Sequence, residues 1–101
     1  MSNIKDLVLD FPGQTESSDV IWVEGPLSLS IGGDFDGNVH IQRCMNERSQ
    51  YPDESTEFND VDVFSDPKQA ITEEVGAFYR VKLSEGFSGN VKVTLRTRLK
   101  I

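Results

Sequence analysis

The chain has 101 residues, of which 37% are apolar, and 17 acidic against 10 basic groups give it a formal charge of −7. That length suits one domain, and the longest apolar run, Val20-Ile21-Trp22-Val23, is far too short to cross a bilayer as a helix. A single Cys excludes an internal disulfide and points to a reducing compartment.

The first five residues lack the basic-then-apolar order of a secretory signal. Residues 1–18 read as an extended arm or a first strand, with residues 4–9 leading into a Phe11-Pro12-Gly13 turn. Residues 19–24 carry Val20, Ile21, Trp22 and Val23, enough β-branched and aromatic weight for a short buried strand. In residues 26–32, Leu27, Leu29 and Ile31 alternate with Ser28 and Ser30, and in 39–45 Val39 and Ile41 alternate with His40 and Gln42. Period two marks strands with one buried and one wet face. Between them Gly32-Gly33-Asp34-Phe35-Asp36-Gly37-Asn38 suits a tight turn, so residues 26–45 are expected to form a hairpin.

Residues 46–57 form a polar, acidic loop containing Pro52, expected to be mobile at the surface. Val61 and Val63 between acids suggest a strand over 58–64, while 68–74 fits a helical turn or an edge strand. Residues 77–83 alternate again, and Glu85-Gly86-Phe87-Ser88-Gly89-Asn90 turns the chain into its clearest element. There Val91, Val93, Leu95, Leu99 and Ile101 alternate with Lys92, Thr94, Arg96, Arg98 and Lys100, with Thr97 in the one apolar gap. Residues 77–101 are therefore expected to be a second hairpin. No window sustains a period of 3.6. The pattern predicts an all-β domain spanning residues 1–101: a single antiparallel β-sandwich or jelly roll of about seven to eight strands.

Charge is uneven along the chain. Residues 1–76 balance at −12, whereas residues 77–101 balance at +5. An acidic body with a basic end can pair with itself across neighbouring strands, or with other copies of itself.

Little in the sequence suits catalysis. His40 and Cys44 share a strand face but lie about 13 Å apart by strand rise, too far for a nucleophile and its base and too few for a zinc site. Counting an EF-hand from Asp34 puts Val39 where Gly belongs and Met45 where Glu belongs, so a turn is the better account. Gly86-Phe87-Ser88-Gly89 lacks nucleophile-elbow spacing. No catalytic residue, metal or cofactor is assigned. The basic residues with Phe78, Tyr79 and Phe87 nearby resemble a nucleic-acid surface in part, but the acidic remainder would repel phosphate, so neither nucleic acid nor membrane is expected as a partner.

Residues from Leu27 onward carry a sequence of short motifs in a set order. They are Gly33-Asp34-Phe35-Asp36-Gly37, Val39-His40-Ile41-Gln42-Arg43, Phe58, and Val61-Asp62-Val63-Phe64. Tyr79-Arg80 and Ser88-Gly89-Asn90-Val91-Lys92-Val93-Thr94-Leu95 complete it. This order resembles the small β-sandwich virion proteins of tailed bacteriophages, over residues 27–98. The resemblance implies a non-enzymatic virion component, assembled in the host bacterial cytoplasm: a capsid decoration (cement) protein, or alternatively a neck or tail adaptor. The implied partners are the major capsid protein or other virion proteins, with a homodimer or homotrimer as the working unit. The candidate contact residues are Lys92, Arg96, Arg98, Lys100, Arg80 and Tyr51. A rival class is a carbohydrate-binding module for host attachment, for which Trp22, Tyr51 and Phe87 are the candidate aromatic platforms, Trp22 fitting a core position better.

Overall fold

A computed structural model describes residues 2–12 and 17–100, with side chains for all of these except 2–5, 75 and 98–100. Six strands follow in chain order: β1 (Ser2–Phe11), β2 (Ile21–Asp36), β3 (Val39–Cys44), β4 (Asn59–Phe64), β5 (Lys68–Leu83) and β6 (Ser88–Lys100). They form one sheet in the order β1-β6-β2-β5-β3-β4, with antiparallel pairing throughout. The chain is all-β.

The eight expected segments become six strands because two pairs fuse. Residues 19–24 and 26–32 fall largely within β2, and residues 68–74 and 77–83 lie within β5. The fused strands pair with each other and share a bend. Ladder register slips between Val23 and Gly25, and Gly25 and Gly76 both hold positive φ, at 91° and 115°. A side chain on either would be strained there, so glycine is what lets the two long strands turn together. Beyond the bend, β2 lies between β5 and β6. Before it, β2 meets the half of β5 that also pairs with β3.

One sheet thus becomes two layers. The first holds β1, β6 and the later part of β2 with the early part of β5; the second holds the early part of β2 with the later part of β5, β3 and β4. Inward residues from both layers meet in one core that includes Leu9, Val23, Ile31, Val39, Val81 and Leu95. The all-β expectation holds, but the six strands form one bent sheet and not the two separate sheets of a sandwich.

Neither expected hairpin forms. β5 separates β2 from β3, and β2 separates β5 from β6. Both connections instead cross between the layers, and they are tied together: the Ser84 amide donates to the Asn38 carbonyl, and the Asn38 amide to Ser84 Oγ, each at 2.9 Å. Turn-forming residues permit a reversal, but they do not decide whether the flanking strands pair. Beneath the ties, Phe87 stacks on Phe35 and meets Phe11 edge to face. β2 and β6 approach so closely that a Cβ on Gly33 would lie 2.2 Å from the Asn90 carbonyl oxygen.

Two substitutions test this packing. Thr97 is fully buried among apolar groups and its hydroxyl has no partner, so Thr97→Val should stabilise the fold by about 1 kcal/mol. Gly33→Ala should cost about 2–3 kcal/mol through strain and backbone collision. Denaturant melts of both variants check the signs, and a destabilised Thr97→Val would show that its hydroxyl is satisfied in solution.

Candidate functional site

The six residues proposed as one contact surface fall in three places. Lys92 and Arg96 point outward from β6 in the first layer, between the inward Val91, Val93 and Leu95. Arg80 points outward from β5 in the second layer, and Tyr51 stands on the loop between β3 and β4. Arg98 and Lys100 pair in register with Ile4 and Ser2 of β1, and their side chains lie outside the described residues. A single basic face is therefore not formed, because β5 and β6 are not neighbours and their outward sides face away from each other.

On the first layer the cations meet acids of β1. Arg96 donates from Nε to Asp6 Oδ1 at 2.7 Å and from Nη2 to Oδ2 at 2.9 Å. That fork holds the Asp6 carboxyl below its ordinary range and raises the Arg96 guanidinium further. Four residues along the ladder, past the Val8–Thr94 pair, Lys92 sits opposite Asp10. Two acids of the −12 body and two cations of the +5 end thus meet across one strand pair.

The second layer carries an outward polar ladder. Asp60 of β4 accepts from Gln42 Nε2 at 3.0 Å and lies 3.1 Å from His40 Nδ1. Gln42 Oε1 in turn accepts from Arg80 Nε at 2.8 Å, and the Arg80 guanidinium lies 4.0 Å from the Phe58 ring centroid. The bond from Gln42, then the bond from His40, hold the Asp60 carboxyl below its ordinary 3.8. Alternation places His40 and Gln42 on one face, but nothing in sequence order shows that Asp60 arrives beside them, 18 residues after Gln42. Among the described residues, no three His, Cys, Asp or Glu side chains gather as a metal site.

A third feature surrounds the loop. Phe78 and Cys44 are buried on the outer side of the second layer, opposite each other in register. Trp22 meets Phe78 edge to face at 5.0 Å, and Arg48 lies 5.9 Å over the indole. Tyr51 meets Phe78 at 5.5 Å yet is 67% exposed, and Met45 is 69% exposed. The loop is internally bonded, with turns closed by Gln50 on Glu47 and Thr56 on Asp53, and with Asn46 Nδ2 on the Gln50 carbonyl. Of the three candidate aromatic platforms, Phe87 is buried in the core at 7% exposure. Trp22 is half-buried outside the central core, and Tyr51 alone is open.

The polar ladder has a pH signature. Asp60 titrates lower when folded, so its linkage favours the fold above the ordinary carboxylate value and is lost as pH falls through the folded one. A carboxyl-detected NMR titration should find the Asp60 midpoint below 3.8 and moved upward in Gln42→Leu; an unmoved midpoint would refute Gln42 as the main cause. No protein-family model, characterised protein or solved structure matches the chain.

Proposed function

We propose that this chain is a non-enzymatic virion structural protein of a tailed bacteriophage, a capsid decoration protein that docks on the major capsid protein or a neighbouring virion protein. The observation that carries this reading is the exposed Tyr51 braced against the buried Phe78, which the half-buried Trp22 meets in turn. A large aromatic ring already held in place loses little freedom when a partner covers it. Aromatic and Arg side chains in that setting are the usual anchors of protein–protein contacts. Arg48 and the exposed Met45 stand on the same loop and widen the contact. The motif order that resembles small phage virion proteins points the same way, its residues 39–43 lying on β3 and its residues 88–95 on β6.

Arg96 changes role in this reading. Its fork to Asp6 spends it on joining β1 to β6, so it contributes to docking less than Tyr51 does. Rim charges of this kind steer an encounter more than they tighten it. A neck or tail adaptor would use the same anchor at a different location on the particle.

The test is localisation on purified particles of the phage that encodes the chain, with wild type and Tyr51→Ala compared. Wild type should label the head, and Tyr51→Ala should keep its far-UV spectrum while binding about thirtyfold more weakly, as loss of an anchor of ~2 kcal/mol requires. Absence of the chain from purified particles, or unchanged binding by Tyr51→Ala, overturns the reading.

A further inference from the structure

We propose that residues 68–74 of β5 accept an added β-strand from a partner protein, an extended cationic segment in which Lys or Arg alternates with apolar residues. Among the described residues, this stretch pairs with β2 on one side and no strand pairs with its other side. Its ladder with β2 runs from Gly25↔Glu74 to Ile31↔Lys68 without a slip. A regular edge of this kind presents a row of unpaired N–H and C=O groups, which is the template for strand addition. The two end strands of the sheet are less suited. β4 carries an extra residue, Val61, at a bulge, with Asp60 and Asp62 on either side of it, and both devices blunt an edge. Along β1, Asp6, Leu7 and Val8 share a shallow depression with Asp19, Val20 and Tyr51, so other parts of the chain flank that edge.

The space between the layers is open beside this edge. A cavity of about 70 Å3 lies there, floored by Leu29 and Ile41 and bordered by Ala70 and Thr72 of β5 and by Val61 and Phe64 of β4. Thr72 is exposed although it stands opposite the buried Leu27, and Val61 is 43% exposed. A strand added to residues 68–74 widens the first layer by about 4.8 Å and carries every second side chain over this opening. The cavity, roughly twice the share of one water in the liquid, suits a side chain the size of valine. On the outward side the added strand runs beside Ile71, which is 78% exposed. The methylene stems of Lys or Arg lie well along such a side chain while their charged ends stay in water.

Charge selects the occupant. Residues 59–74 hold Asp60, Asp62, Asp66, Glu73 and Glu74 against Lys68, a balance of −4. Asp62 borders the cavity, and Asp66 and Glu73 are exposed. Among the described residues none of these three has an ion-pair partner. The bonds that Asp62 and Glu74 accept come from uncharged donors, the Val63 amide and the Tyr79 hydroxyl. A cationic strand is therefore drawn to this edge and an acidic one is repelled. A second copy of the chain would bring the same −4 against itself, so pairing of two such edges is opposed. This edge is separate from the Tyr51 loop, and its occupant does not depend on what that loop docks against.

The probe is an alternating Lys-Val peptide about nine residues long, long enough to span the edge, titrated into the isotope-labelled wild-type chain and followed by NMR. Amides of residues 68–74 should shift saturably below about 1 mM peptide, and alternate ones should exchange with solvent at least about tenfold more slowly in the complex. A Glu-Val peptide of equal length, and a Lys-Val peptide methylated on its backbone nitrogens, should both bind at least about tenfold more weakly. Asp66→Lys combined with Glu73→Lys, at exposed positions, should fold normally by far-UV circular dichroism and weaken Lys-Val binding by a similar factor. Asp36→Lys combined with Glu85→Lys makes the same change of charge at exposed positions away from the edge and should bind nearly as wild type does. No binding at millimolar peptide overturns the proposal, as does protection along β1 or β4 in place of residues 68–74. Equal binding of the methylated or the Glu-Val peptide, equal weakening by the two double variants, or self-association of the peptide-free chain through residues 68–74 overturns it as well.

Discussion

The whole arrangement rests on the shared bend of β2 and β5. Without it these strands would be two 16-residue ribbons in one flat sheet, with an apolar face exposed along its length. Gly25 and Gly76 allow both backbones to turn at the same point, so the inward rows on either side of the bend face each other. Val23 and Val81 then share a core with Val93 and Leu95 although they sit in different layers. Near the bend, the Tyr79 hydroxyl donates to the Glu74 carboxylate, giving this buried ring a polar partner. Burial of one contiguous core from both layers is what repays the ordering of the chain.

The same bend distributes charge. It sends β6 to the side of β1 and keeps the later half of β5 beside β3, so Lys92 and Arg96 stand on one outward face and Arg80 and Lys82 on the other. On one, β1 supplies Asp6 and Asp10; on the other, Arg80 finds an amide and an aromatic ring instead of a carboxylate. Asp6 and Arg96 are both open to water, where ion pairs add little to stability. Their weight lies in register: a one-residue slip of β1 would turn Leu7 and Leu9 out of the core and part the fork at once.

Period two made β3, the later half of β5 and β6 legible, because Val39 and Ile41, Val81 and Leu83, and Val91, Val93 and Leu95 each bury one face only. It did not reveal the joins. Residues 23–25 and 74–77 look like strand ends because a glycine interrupts the pattern, yet the backbone continues through both as strand. Strand pairing is illegible for a related reason. Asp36-Gly37-Asn38 and Ser84–Phe87 hold turn residues, but partner choice depends on where the bend carries each strand, a long-range property absent from any local window. The candidate anchors follow the same division. Arg96 was visible as a charged outward position, whereas the bracing of Tyr51 by Phe78 joins residues 27 apart through a loop whose sequence carries no period.

Two surfaces remain after the core, the ties and the ion-pair fork have been accounted for, and they differ in kind. The loop surface is convex, aromatic and backed by buried rings, the form that suits insertion into a pocket on another molecule. The first-layer face is broader and polar: beside the Asp6–Arg96 fork it carries Ser28, Ser30, Asp34 and Glu73 outward. The fold lays its acidic first strand along its basic last one, so that Asp6 meets Arg96 and Asp10 stands opposite Lys92. Part of the asymmetry of charge along the sequence is thereby compensated across one strand pair. The Arg96 guanidinium is held by the Asp6 carboxylate, so the charge that period two marks as outward is engaged within the fold, whereas Tyr51 is open and held only by the ring of Phe78.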